Sequence, residues 1–273
     1  MSKWVFLRGL MRETRHWGEF PGLFRSMVPE ADITLLDLPG NGSLHSLRSP
    51  VRVEEMTDSC RRQLLSRNIA PPHNLFALSF GGMVATDWAM RYPDEIAGCV
   101  LLNTSLRPHN PFYRRLRPRN YPALLALGLS SLVHRNVERQ ESLLLRLTSN
   151  QHAQRADVLA DWISYQHDHP VTYQNALRQL CAAIRYGAPA QAPKPPLLIL
   201  AGGADRLIDP RCSQQLAHQW QASLATNAAA GHDLTLDAGH WVAEQVRDWL
   251  VSSANAYGSQ REYYFPIGLE QID

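Results

Sequence analysis

Three short segments hold side chains that could act together on an electrophilic carbon. Ser79 stands in Phe76-Ala77-Leu78-Ser79-Phe80-Gly81-Gly82, where an apolar strand-like run gives way to a helical one. A serine hydroxyl is a weak nucleophile until a base takes its proton. A sharp turn at the end of a strand would lift its Oγ off the sheet. That turn brings together the residues two before and two after, so both must be small, as Ala77 and Gly81 are. The plainer reading of the same residue is a serine capping the helix that follows. Asp205 and Asp209 lie in Gly202-Gly203-Ala204-Asp205-Arg206-Leu207-Ile208-Asp209-Pro210. His232 follows Gly231, and His240 follows Gly239. An Asp–His pair would supply the base and steady its charge; either Asp could equally form a turn.

These residues need elements to hold them. Buried strands are expected at Trp4–Leu7, Ile33–Leu36, Asn74–Leu78, Val100–Asn103 and Leu197–Leu200, with a weaker one at Ser223–Ala230. Helices are expected at Phe20–Val28, Val51–Arg67, Gly81–Arg91 and Trp241–Ala256. Between Leu106 and Pro193 the strand pattern stops, and helical stretches fall near Tyr121–His134, Glu138–Leu147, Ala153–Tyr165 and Tyr173–Ile184. Apolar strands alternating with helices give a parallel sheet with helices on both faces, an α/β architecture. Residues 106–193 then form a helical insertion.

Taken in this order, the segments resemble the α/β-hydrolase family. Ala77-x-Ser79-x-Gly81 is similar to its nucleophile elbow, with Ala in place of the usual first Gly, and the family's catalytic residues run Ser, then acid, then His. The resemblance maps the acid onto Asp205, an Asp three residues after a strand-ending Gly, with Asp209 as runner-up. It maps the base onto His232, ahead of the last helix's apolar face of Trp241, Val242, Val246, Trp249 and Leu250; His240 is the competitor, on that helix's first turn. Val5-Phe6-Leu7-Arg8-Gly9-Leu10 resembles the oxyanion loop, with Arg8 where the family usually has His. The resemblance therefore implies oxyanion donors at the amides of Leu10 and Phe80. Trp17 matches a position where the family often carries Trp. Asp37-Leu38-Pro39-Gly40-Asn41-Gly42 resembles the turn after the second strand.

The fold so implied is a doubly wound parallel sheet of about six strands, order 2-1-3-4-5-6, with a helical lid after strand 4. The core comprises residues 1–105 and 194–256, the lid 106–193, and a tail 257–273 follows. The chain starts at the strand before the oxyanion loop, which implies that the family's first two strands are absent. The site belongs at the carboxyl ends of the strands. The implied function is a serine hydrolase of carboxylic esters or thioesters, with catalytic Ser79, Asp205 and His232 and no metal or organic cofactor. Two alternatives stand beside it: an inactive binding protein on this scaffold, and a methyl ester esterase acting on an acid bound to acyl carrier protein.

Composition narrows the field further. The chain has 273 residues, 45% of them hydrophobic and 19% charged, with 27 basic against 25 acidic side chains. A net charge of +2 argues against a nucleic-acid partner. Cys60, Cys99, Cys181 and Cys212 show no metal-ligand spacing and read as reduced thiols of a cytoplasmic protein. The N-terminus is no secretory signal, and the longest apolar stretch, Tyr121–Val133, is too short to span a bilayer. His167-Asp168-His169 lacks a third metal ligand nearby. Arg107, Arg114, Arg115, Arg117, Arg119 and Arg135 occupy a stretch without acids. They are expected either as a solvated lid face or as a docking strip for an acidic acyl carrier. Arg8 and Trp17 are candidate substrate contacts: Arg8 would grip a substrate carboxylate, or else pair with an internal acid such as Glu13.

Overall fold

The computed structural model describes residues 1–126, 136–151 and 155–261. The expected helix near Tyr121–His134 is described only to residue 126. Arg135, residues 153–154 and the tail from residue 262 onward lie outside the described residues.

The strands are β1 (Ser2–Leu7), β2 (Ala31–Leu36), β3 (His73–Leu78), β4 (Ile96–Leu102), β5 (Leu197–Gly202) and β6 (Ser223–Asn227). All pair in parallel, in the order β2-β1-β3-β4-β5-β6. The helices are α1 (Phe20–Met27), α2 (Val53–Ser66), α3 (Phe80–Arg91), α4 (Phe112–Arg115), α5 (Val137–Thr148), α6 (Ala156–Asp168), α7 (Tyr173–Arg185), α8 (Arg211–Trp220) and α9 (Leu234–Arg261). Helices α4 to α7 lie in the segment between β4 and β5. No helix among the described residues is long and apolar enough to cross a membrane.

The two-residue period of a strand sends alternate side chains to opposite faces. Val5, Leu7, Leu75, Ala77, Cys99, Leu101, Leu197 and Ile199 meet α2, α3 and α8 through Met56, Leu64, Val84, Trp88 and Leu216. Trp4, Phe6, Phe76, Leu78, Val100, Leu102, Leu198 and Leu200 face the other way, onto Phe20 and Phe24 of α1 and Val242, Ala243 and Val246 of α9. A sheet covered on both faces has strands apolar throughout, and β3 is buried at every residue. The edge strand β6 is half exposed, which is why its sequence signal is weak.

One boundary differs from expectation. The last helix begins at Leu234, not Trp241, and is interrupted by the non-helical Ala238. The apolar spacing from Trp241 onward marks only the part beyond that break.

Candidate active site

At the carboxyl end of β3 the chain turns sharply into α3. Ser79, between them, has φ 56° and ψ −114°, a region that non-glycine residues rarely occupy. Its amide donates to the Leu102 carbonyl of the neighbouring strand at 2.8 Å. Its side chain makes no cap hydrogen bond to α3, so the helix-capping reading of this serine does not hold. The small flanking residues are required by contact. A Cβ on Gly81 would sit 2.5 Å from the Leu7 carbonyl oxygen and 2.7 Å from that of Arg8. A Cβ on Gly9 would lie 3.4 Å from Ser79 Cβ and 3.8 Å from its Oγ. The end of β1 therefore lies against the serine.

The acid and the histidine come from the loops after β5 and β6. His232 Nδ1 and Asp205 Oδ2 are 2.8 Å apart, and both residues are buried. An ionised carboxylate only accepts, so the ring proton sits on Nδ1 and Nε2 is left as a base. Asp205 Oδ1 accepts from the Leu207 and Ile208 amides at 2.7 and 3.0 Å, which fixes the carboxylate in place. Among the described residues no hydrogen bond joins Ser79 Oγ to the His232 ring; such contacts often tighten only when substrate binds.

The competitors are engaged elsewhere. Asp209 is gripped by the Arg211 guanidinium through both carboxylate oxygens, which holds its carboxyl down at about 2. His240 lies on α9 beyond the break and is exposed.

The two candidate substrate contacts have other neighbours than expected. Arg8 is 3% exposed and forks onto Asp233, Nη2 to Oδ2 at 2.6 Å and Nη1 to Oδ1 at 3.3 Å. Its partner is thus the residue after His232, not Glu13, which holds Arg15 and His169 instead. Burial works to raise the Asp233 carboxyl, but the Arg8 charge and hydrogen bonds outweigh it and the group is lowered. Trp17 lies under the Arg8 guanidinium at 4.7 Å and packs among Phe6, Phe20 and Phe76, 3% exposed. Both residues brace the loop after β1.

Three arginines of the acid-free stretch also brace the chain. Arg107, Arg115 and Arg119 donate to the carbonyls of Arg185, Ala183 and Arg206 at 3.0, 2.7 and 3.2 Å. Arg117 lies 3.9 Å from Asp209, and Arg114 faces the Tyr113 ring. Asp168 pairs with Arg15, and His169 with Glu13.

Asn103, at the end of β4, was not singled out in the sequence. It is 2% exposed with φ 46°. Its Oδ1 accepts from the Gly202 amide at 2.8 Å, and its Nδ2 donates to the carbonyls of Gly231 and His232 at 3.0 and 2.9 Å. One side chain thus joins the end of β5 to the histidine loop. Its only sequence signal is an Asn, a residue that tolerates positive φ, ending an apolar strand. Asp237 clamps the same loop from the other side. It accepts from the Gly231 amide at 2.7 Å, the Asn150 amide at 2.9 Å and the Ser149 hydroxyl at 2.5 Å.

Residues 31–239 match the family described as serine aminopeptidase, S33. The chain is 26% identical over 269 residues to the biotin biosynthesis bifunctional protein BioHC of Teredinibacter turnerae, covering 92% of this chain and 45% of that one. It is 30% identical over 92 residues to the pimeloyl-[acyl-carrier protein] methyl ester esterase of Chromobacterium violaceum, covering 34% of each. The chain spans less than half the length of the curated relatives it matches. Among solved structures, the enol-lactonase of Burkholderia xenovorans LB400 superposes with a TM-score of 0.75 at 18% identity, covering 92% of each chain. The chain belongs to the serine aminopeptidase S33 family of α/β hydrolases.

Proposed function

We propose that this α/β hydrolase is a serine hydrolase that opens a carboxylic ester or thioester through an acyl-enzyme. The observation that carries the reading is the strained Ser79 turn at the sheet end that also bears the buried His232–Asp205 pair. Ser79 Oγ attacks the acyl carbonyl while His232 Nε2 takes its proton. Asp205 orients the imidazole and stabilises it once charged. The amides of Leu10 and Phe80 hold the oxyanion; Phe80 opens α3, where an amide has no acceptor within its own helix. The leaving group departs with the proton from His232, and water resolves the acyl-enzyme by the same route. Residues 106–193 act as the lid over this site. Four free cysteines suit a reducing cytoplasm.

The name of one relative, the pimeloyl-[acyl-carrier protein] methyl ester esterase, supports an ester as substrate, and a methyl ester of an acyl-carrier-bound acid as the finer reading. The test is a panel of p-nitrophenyl esters, a thioester, dicarboxylate monomethyl esters and an aminoacyl anilide, with wild type and Ser79→Ala. Wild type should turn over esters and react with a fluorophosphonate. Ser79→Ala should lose on the order of 10⁴-fold or more in turnover and all labelling. Anilide hydrolysis without ester hydrolysis would move the reading to a peptidase. A folded wild type inert to every substrate and to the probe would make it a binding protein.

A further inference from the structure

Gln179 lies on α7, in the segment between β4 and β5, and is completely buried. Its Oε1 accepts from the backbone N–H of Met11 at 2.9 Å. Met11 belongs to the turn that follows β1. The Arg12 amide donates to the Gly9 carbonyl at 3.3 Å, closing a four-residue turn. Met11, in its third position, has φ 57°, and Leu10, in its second, is not among the positive-φ residues. That combination is a type II turn, whose third position favours Gly or Asn. A methionine there is strained by about 1–2 kcal/mol, so the turn needs an outside hold. Types I and II differ by a flip of the central peptide, which here joins Leu10 to Met11. The bond from Gln179 fixes that peptide.

The orientation of the Gln179 amide is itself determined. Ser49 Oγ donates to the Pro39 carbonyl at 2.7 Å, so it accepts from Gln179 Nε2 at 3.1 Å. Asn41 Nδ2 donates to the Arg12 carbonyl at 3.0 Å, so its Oδ1 accepts from the same Nε2 at 2.7 Å. With both partners requiring a donor, Nε2 faces them and Oε1 is left for Met11. Asn175, one turn earlier on α7, anchors the helix to the same loop by donating to the Leu47 carbonyl at 2.9 Å and accepting from the Ser49 amide at 2.9 Å.

We propose that Gln179 is a positioning residue for the oxyanion hole: from α7 it fixes the Leu10–Met11 peptide, and through it the turn whose preceding peptide, Gly9–Leu10, carries the Leu10 N–H that is held toward Ser79. The inference rests on the reading of Ser79 as nucleophile and of Leu10 as oxyanion donor. It ties the placement of the β4–β5 segment to the catalytic turn through one buried amide. Losing an oxyanion donor outright lowers turnover by about 10²–10³-fold, and a donor that is loosened rather than removed should cost roughly ten- to a hundredfold.

The experiment compares wild type, Gln179→Leu and Gln179→Glu. Gln179→Leu should lower kcat for a p-nitrophenyl ester by roughly ten- to a hundredfold with KM nearly unchanged, and weaken a boronic acid, a tetrahedral mimic, by a similar factor. Amide exchange at Met11 should accelerate. Gln179→Glu, kept protonated by burial, offers the acceptor that holds the Met11 amide and one of the two donors of the original amide, and should recover most of the loss. An unchanged kcat in folded Gln179→Leu, or unchanged Met11 exchange, overturns the inference. If Leu does not fold, Gln179→Met replaces it, and a Met11 amide that exchanges freely in wild type overturns it as well. Wild type that neither hydrolyses esters nor takes a fluorophosphonate, with Met11 still protected, fails the hydrolase reading instead, and the proposed role falls with it while the turn stays held.

Discussion

Asn103 Nδ2 donates to the main-chain carbonyl of His232 at 2.9 Å, across 129 residues of sequence. The same side chain accepts from Gly202, at the end of the strand leading to Asp205. The imidazole and its carboxylate are thus set against one another by an amide at the end of β4. Removing that amide takes their side-chain partner from the Gly231 carbonyl and the Gly202 N–H, and leaves the His232 carbonyl only the Leu234 amide, at 3.0 Å. Asn103→Gly keeps the positive φ and loses only the hydrogen bonds; Asn103→Ala adds backbone strain of about 1 kcal/mol. Both should lower kcat by roughly tenfold or more, with Ala also the less stable of the two. Ester kinetics and thermal midpoints check this, and full turnover in both variants would remove Asn103 from the site.

The sheet was legible because each central strand holds a short, uninterrupted apolar run. So were the turn at Ser79 and the Asp205–His232 pair of the candidate site, because each residue stands at a strand end in a short segment with its own pattern. Asn103, Gln179 and Asp233 were not. Each acts through a partner more than a hundred residues away, such as Arg8 for Asp233 or Met11 for Gln179, and no local periodicity encodes such a pairing. The start of α9 was missed for a different reason. Ala238 breaks the helix, and only the stretch beyond it carries the amphipathic spacing.

Gly81 and Gly22 make a matched pair of opposite sign. A Cβ on Gly81 meets main-chain oxygens of Leu7 and Arg8, so Gly81→Ala must push the end of β1 away. A loss of about 1–3 kcal/mol is expected from such overpacking, with a fall in turnover because the displaced segment leads into the proposed oxyanion loop. A Cβ on Gly22, at an exposed position of α1, meets nothing within 4 Å. Gly22→Ala should stabilise by about 0.5–1 kcal/mol with activity unchanged. Denaturant midpoints and ester turnover on the two variants test both signs.

His232 and His240 can be separated by their effect on nucleophile activation. His232→Ala should depress fluorophosphonate labelling of Ser79 and ester turnover together, by a factor on the order of that for losing a catalytic-triad member. His240→Ala, at an exposed site on α9, should change stability by no more than about 0.5 kcal/mol and leave labelling intact. Loss of labelling in the His240 variant alone would reassign the base.

The Arg8–Asp233 pair yields a prediction whose sign depends on pH. In the wild type the folded-state carboxyl of Asp233 is lowered by Arg8. A lowered carboxyl contributes stability that is present above its unfolded value, near 3.9, and is lost as pH falls through the folded value. Arg8→Gln reverses the sign. A buried carboxylate without its cation is raised above the unfolded value, so the variant is penalised at neutral pH and relieved as Asp233 takes a proton. Breaking such a pair from one side costs about 3–5 kcal/mol. The thermal midpoints of wild type and Arg8→Gln should therefore lie far apart at pH 7 and converge toward pH 4. Arg8→Met with Asp233→Leu removes both charges and should recover much of the neutral-pH loss. Because the guanidinium is committed to Asp233, selectivity between a neutral ester and one ending in a carboxylate should be the same in wild type and in Arg8→Gln. A preference for the acidic ester that disappears with Arg8 or with added salt would show that Arg8 leaves Asp233 to bind substrate.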